Sequence, residues 1–207
     1  MFNLAPHELK IFKTLSTPAK IQDFLETLPA NFERSGETLY SPRMVLKYRT
    51  AHCAEGALFA TAALRIQGHK PLVLDLKTTG RDEYHAIAVF KKNGKWGAIS
   101  KTNHPVLRYR DPVYLSIREL VMSYFHEYFM RDGTKTLRSY TDPLDLSRFD
   151  AKRWMMDEKN LWYIDRYLTA MKHIPILPKG VALRKADRKE RRATETTQWK
   201  KDGTRRR

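Results

Sequence analysis

Apolar positions are distributed along this chain in three ways, and each predicts a different element. From Ala54 to Leu64 they run almost unbroken, with Gly56 and several alanines among larger side chains. A helix that is apolar nearly all round is enclosed by other layers, and its small residues let a neighbour approach closely. Elsewhere the apolar residues form single stripes at helical spacing. One is Ile21, Phe24, Leu25 and Leu28, after the capping signal Ser16-Thr-Pro18; a second is Ile117, Leu120, Val121, Tyr124, Phe125 and Tyr128, between Asp111-Pro112 and Asp132-Gly133. The third, Leu161, Ile164, Leu168 and Met171, is closed by Pro175 and Pro178. Short apolar runs predict strands at Pro71–Lys77, Tyr84–Phe90 and Lys95–Ser100, and Asn93-Gly94 between the last two is a two-residue hairpin signal. Residues 29–43 and 134–150 carry no sustained period and read as connections.

The hairpin fixes a register. With Asn93 and Gly94 as the central turn residues, Lys92 faces Lys95, Ala98 faces Val89 and Thr102 faces His85. His85, Ile87 and Val89 then share a face with Trp96, Ala98, Ser100 and Thr102, and Ser100 is the diagonal neighbour of His85. Asn103 opposes Tyr84 and lies on the other face unless a bulge intervenes. The single cysteine of the chain, Cys53, stands where the polar segment Tyr48–His52 gives way to the apolar run, at the predicted helix start. Unpaired N–H groups and the helix dipole favour negative charge there, which biases a thiol toward thiolate. The plainer alternative is a free cysteine packed as a small hydrophobe. His52 reads as a surface or capping histidine and Glu55 as a favourable first-turn charge.

Charge and composition limit the rest. One cysteine forms no internal disulfide, which favours a reducing, cytoplasmic setting. No run reaches the ~18 to 20 apolar residues that a membrane span needs, and the first residues lack the pattern of an export signal. Around His126 no second His or Cys stands at metal-ligand spacing, so neither metal nor cofactor is expected. The net charge is +16, and residues 184–207 hold eleven Lys/Arg against four Asp/Glu, so a short stretch carries seven of those charges. That stretch is poor in apolar residues and without period, and reads as a disordered basic tail on a single domain spanning 1–183.

The segment His52-Cys-Ala-Glu-Gly-Ala-Leu-Phe-Ala-Thr-Ala-Ala-Leu-Arg-Ile-Gln-Gly68, followed by Tyr84-His-Ala-Ile-Ala-Val-Phe90 and Asn93-Gly-Lys-Trp96, resembles the core of the transglutaminase-like cysteine fold. Thr17–Leu25 and Trp96–Pro105 resemble, more narrowly, a group of bacterial transglutaminase-like proteins. The resemblance covers roughly residues 17 to 140. It implies an α+β fold with a papain-like core, in which a buried helix bearing Cys packs on a mainly antiparallel sheet. It also implies Cys53 as nucleophile and His85 as base in hydrolysis of a peptide or small-molecule amide, or in acyl transfer. The family commonly has Asp at the third position, and here that place falls at or near Ser100. Asn103 is an alternative, as in papain-like proteases, and Asp75 or Asp82 could enter from the neighbouring strand or turn. A hydroxyl stabilises a protonated imidazole less than a carboxylate does. The departure therefore leaves open a second reading, an inactive binding module that uses its basic surface and tail for an acidic partner such as nucleic acid.

Overall fold

The computed structural model describes residues 4–104, 106–194, 200, 202 and 204. The elements run α1 (Pro6–Thr14), α2 (Pro18–Thr27), α3 (Pro42–Tyr48), α4 (Cys53–Ile66), β1 (Leu72–Thr78), β2 (His85–Lys92), β3 (Lys95–Ile99) and β4 (Arg110–Tyr114). They continue with α5 (Ile117–Phe125), β5 (Leu137–Thr141), β6 (Leu144–Asp145), a 3-10 helix (Leu146–Lys152), α6 (Trp162–Ala170), β7 (His173–Pro175) and α7 (Arg188–Thr194). The fold is α+β. Its sheet has the order β4-β3-β2-β1-β5-β7, with β6 also paired to β1, and every pairing is antiparallel.

Alternation along the central strands divides the core in two. Val73, Ala86, Ala88, Phe90 and Ile99 face a cluster built with Phe12, Ile21, Leu25, Leu58 and Ile164, so α1, α2, α4 and α6 cover that side. Leu74, Leu76, Ile87, Val89 and Ala98 face the opposite way, onto Leu120, Val121, Tyr124 and Phe125 of α5. In α4 every residue from Glu55 to Leu64 is buried, as its unbroken apolar run requires. The hairpin takes the expected register, Lys92 opposite Lys95 and Val89 opposite Ala98. Asn93 and Gly94 have φ of 50° and 77°, the positive values that a type I′ turn needs at both central positions.

Several expectations are corrected. Asp111-Pro112 does not open a helix but lies in β4, a strand at the sheet edge, where a proline's missing donor is tolerated. The helix starts later, capped by Ser116, whose hydroxyl accepts from Glu119 N–H at 3.1 Å. Residues 134–150 hold β5, β6 and part of the 3-10 helix rather than a loop, and α1 and α3 appear where no helix was expected. Ala186 is buried, donates its N–H to Gly133 O at 2.8 Å, and leads into α7. Gly133 has φ +84°, and a Cβ there would lie 2.4 Å from Ala186 O. Most of the basic segment past Thr194 lies outside the described residues. Among the described residues no helix is long and apolar enough to cross a membrane.

Candidate functional site

Cys53 is the first residue of α4, and the cap of that helix determines what surrounds it. His52 is the N-cap: its Nδ1 lies 3.2 Å from Ala54 N, while the Glu55 carboxylate reaches back to His52 N–H at 2.9 Å. This reciprocal arrangement is a capping box, with histidine where serine or threonine is usual. Of the first-turn amides, that of Cys53 is left over by this cap. Glu55 is fully buried, and besides His52 N–H it accepts from Thr38 Oγ1 (2.7 Å), Tyr40 N–H (3.0 Å) and Asn31 Nδ2 (3.1 Å). That makes it a structural centre and not merely a favourable first-turn charge.

His85 is the first residue of β2, brought to the start of α4 by the packing of that helix across the strand. Its ring is buried, with Nε2 2.6 Å from Ser100 Oγ, and it meets the Tyr128 ring edge-on at 6.4 Å between centroids. Ser100 directly follows β3, diagonal to His85 in the hairpin register. Its place is set from outside the sheet: the Gln22 side chain accepts from Ser100 N–H and donates to Ser100 O, both at 3.0 Å. The next residue, Lys101, is also buried, and its ammonium donates to Leu25 O (3.0 Å) and Leu28 O (2.6 Å) at the end of α2. A positive charge there is favoured by the helix dipole. Lys101 lies so close to α4 that a Cβ on Gly56 would stand 2.1 Å from Lys101 Cβ. Glycine at 56 thus permits the contact that seats the 100–101 segment.

The other third-group candidates are engaged elsewhere. Asp75 pairs with His173 Nε2 at 2.9 Å, and Asp82 accepts from the Thr136 hydroxyl. Asn103 lines the cleft but is not the partner of His85 Nε2. The cleft, about 570 Å³, is bordered by Cys53, His52, His85, Asp82, Tyr84, Thr102, Asn103, His104 and Tyr128. Cys53 is half-buried at its wall, with Sγ 3.9 Å from Tyr84 O. Among the described residues no group of three His, Cys, Asp or Glu is placed to hold a metal ion.

The electrostatics favour a charged sulfur. Burial pushes the Cys53 thiol up, but hydrogen bonding to His52 and His85 and the charge on both rings outweigh it, and the thiol is pulled down to about 5. Burial likewise opposes charge on His52, yet the hydrogen bond to Cys53 and the Glu55 carboxylate raise it to about 9. His104 is pushed down, first by burial and then by His85. Burial, with acidic neighbours, raises the Tyr128 phenol far above its usual range, so it stays protonated. With Nε2 of His85 occupied by Ser100, Nδ1 is the ring nitrogen left for the sulfur.

The sequence reading missed Gln22, Lys101 and the influence of His52 on ionisation of the sulfur. The spacing of His52 and Glu55 signals the capping box, but nothing in the pattern signals a lysine buried against another helix. In comparisons with known proteins, no family model matches the chain and no curated protein matches it.

Proposed function

We propose that this protein is a thiol-dependent acyl-transfer enzyme of transglutaminase-like type, hydrolysing an amide or ester or passing its acyl group to an amine. The single observation that carries the reading is that folding gathers Cys53, at a helix start, with His85, whose far ring nitrogen is held 2.6 Å from Ser100 Oγ. Nucleophile, base and orienting group are the three parts such chemistry needs.

The Cys53 thiolate attacks the substrate carbonyl, forming a C–S bond while the carbonyl π electrons move to oxygen. The Cys53 N–H, not used by the cap, is the oxyanion donor. Collapse breaks the bond to the leaving amine or alkoxide, which takes a proton from His85. His85, now neutral, accepts a proton from water or an acceptor amine as that group attacks the thioester. The second collapse expels the thiolate and restores the starting state. Ser100 orients the ring throughout. A cleft of about 570 Å³ fits a peptide side chain or a small amide. A lone thiol with this task belongs in a reducing compartment, and we place the protein in the cytoplasm.

The test uses iodoacetamide and p-nitrophenyl acetate on the full chain. Cys53 should be alkylated faster than free cysteine near neutral pH, and the ester should leave an acetyl group on Cys53. His85→Ala should slow both labelling and release of that acetyl, the latter by about a hundredfold or more. Alkylation no faster than the free thiol, with no acyl adduct, removes the reading.

A further inference from the structure

We propose that Cys53 is served by two imidazoles with separate tasks: His52, backed by the buried Glu55 carboxylate, balances the charge of the thiolate, while His85 with Ser100 carries the proton. The inference rests on the acyl-transfer reading of the site and assigns within it a residue that the Cys–His pair does not include.

The geometry of His52 is that of a fixed ring beside a buried negative charge. Nε2 lies 2.9 Å from Thr38 O, 3.5 Å from Glu55 Oε1 and 3.8 Å from Glu33 Oε1. Both His52 and Cys53 border the cleft, adjacent in the chain at the start of α4. The charged and titratable groups facing it are Glu33 on the connection before α3, Glu55 and Cys53 on α4, Asp165 on α6, and His85 across the sulfur. The carboxylates among them favour a protonated ring.

Nδ1 has two roles that exclude each other. In the neutral ring it accepts from Ala54 N–H at 3.2 Å; once protonated it can only donate, and the neighbouring anion at this helix start is the Cys53 thiolate. Ionising the thiol therefore trades a long capping bond for a charge-assisted one, which is the stronger of the two. The carboxylate expected behind His85 is absent, because Ser100 stands there. The buried carboxylate of this site stands behind His52 instead. With the sulfur's charge already balanced, His85 can release its proton to a leaving group without losing the thiolate that the next cycle needs.

Because the chain has one cysteine, alkylation by iodoacetamide reports this thiol alone. The decisive comparison is the pH profile of that rate in wild type, His52→Asn and His85→Gln. Asparagine keeps an N-cap acceptor but carries no charge, so the helix start is preserved. We expect His52→Asn to slow alkylation at about pH 6 by about tenfold or more, as a rise of about two pKa units from about 5 would, and His85→Gln to slow it less. A His52→Asn rate within about twofold of wild type, or a larger loss in His85→Gln, overturns the proposal while leaving the acyl-transfer reading intact. A wild-type thiol no more reactive than free cysteine overturns both. A second measurement needs no substitution: imidazole NMR titrations before and after methylthiolation of Cys53 in the wild-type chain. Blocking the thiolate should lower the His52 titration by about one unit or more, and an unmoved His52 overturns the proposal.

Discussion

The two walls that meet at Cys53 are held by different physics. On the α4 side a fully buried carboxylate, Glu55, gathers donors from the Asn31–Tyr40 connection and from His52, so a charge organises the wall. On the β3 side the group that meets His85 is a neutral hydroxyl, Ser100. Its position comes from an amide clamp by Gln22 and from Lys101 seated against the end of α2. Removing a buried charge's partners is expensive, whereas a neutral bond is exchanged more cheaply. The α4 wall should therefore tolerate substitution poorly and govern ionisation of the sulfur. The β3 wall should yield by degrees and govern how the His85 ring is aimed.

The largest effect expected is that of Glu55→Ala. It leaves the Thr38 hydroxyl, Tyr40 N–H, Asn31 amide and His52 N–H without their shared acceptor, and it removes the negative charge behind His52. We expect a loss of about 3 kcal/mol or more in urea unfolding, with the Cys53 alkylation profile moved to higher pH. A loss below about 0.5 kcal/mol, as at an ordinary surface site, would break the contrast between the walls. Next comes Gly56→Ala, where helix propensity and packing predict opposite signs. Alanine favours a helix over glycine by about 1 kcal/mol. The added Cβ, however, falls 2.1 Å from Lys101 Cβ, a contact that one of the two chains must move to relieve. Overpacking of this kind costs about 1–3 kcal/mol, so the net change should be destabilising, with slower acyl release because Lys101 adjoins Ser100. A stabilised variant would show that the 101 segment moves freely and that the clamp on Ser100 lies elsewhere.

What the chain discloses in advance follows the range of the forces involved. Local ones were legible: the unbroken apolar run fixed α4 as a buried helix, and Asn93-Gly94 with alternating neighbours gave the register that makes Ser100 the diagonal neighbour of His85. The capping residue at 17 with Pro18 likewise opened α2, the Thr17 hydroxyl accepting from Lys20 N–H at 3.2 Å. Interactions between distant segments were not. Gln22 and Ser100 are 78 positions apart, and Lys101 reaches carbonyls more than seventy positions away. Both side chains look solvent-facing until the distant segment that each meets is in place. Short elements were missed for a related reason. β5 and β6 have too few residues to show a period, and Asp111-Pro112 carries a helix-opening signal that the sheet edge overrides.

The smallest effect, and the one that separates the walls most cleanly, is expected of Ser100→Ala. The substitution removes one hydrogen bond between His85 Nε2 and a hydroxyl and leaves the Gln22 clamp on the backbone intact. A hydrogen bond of this kind is worth about 1 kcal/mol net, so turnover of an acyl probe should fall about fivefold. The iodoacetamide profile should hardly move, because the groups beside His52 are untouched. Ser100→Asp should act in the other direction on the ring, since a carboxylate makes a charge-assisted bond to a protonated imidazole. If Ser100→Ala instead displaced the thiol ionisation as far as His52→Asn does, proton carriage and charge balance would not be divided between the two histidines, and the walls would act as one.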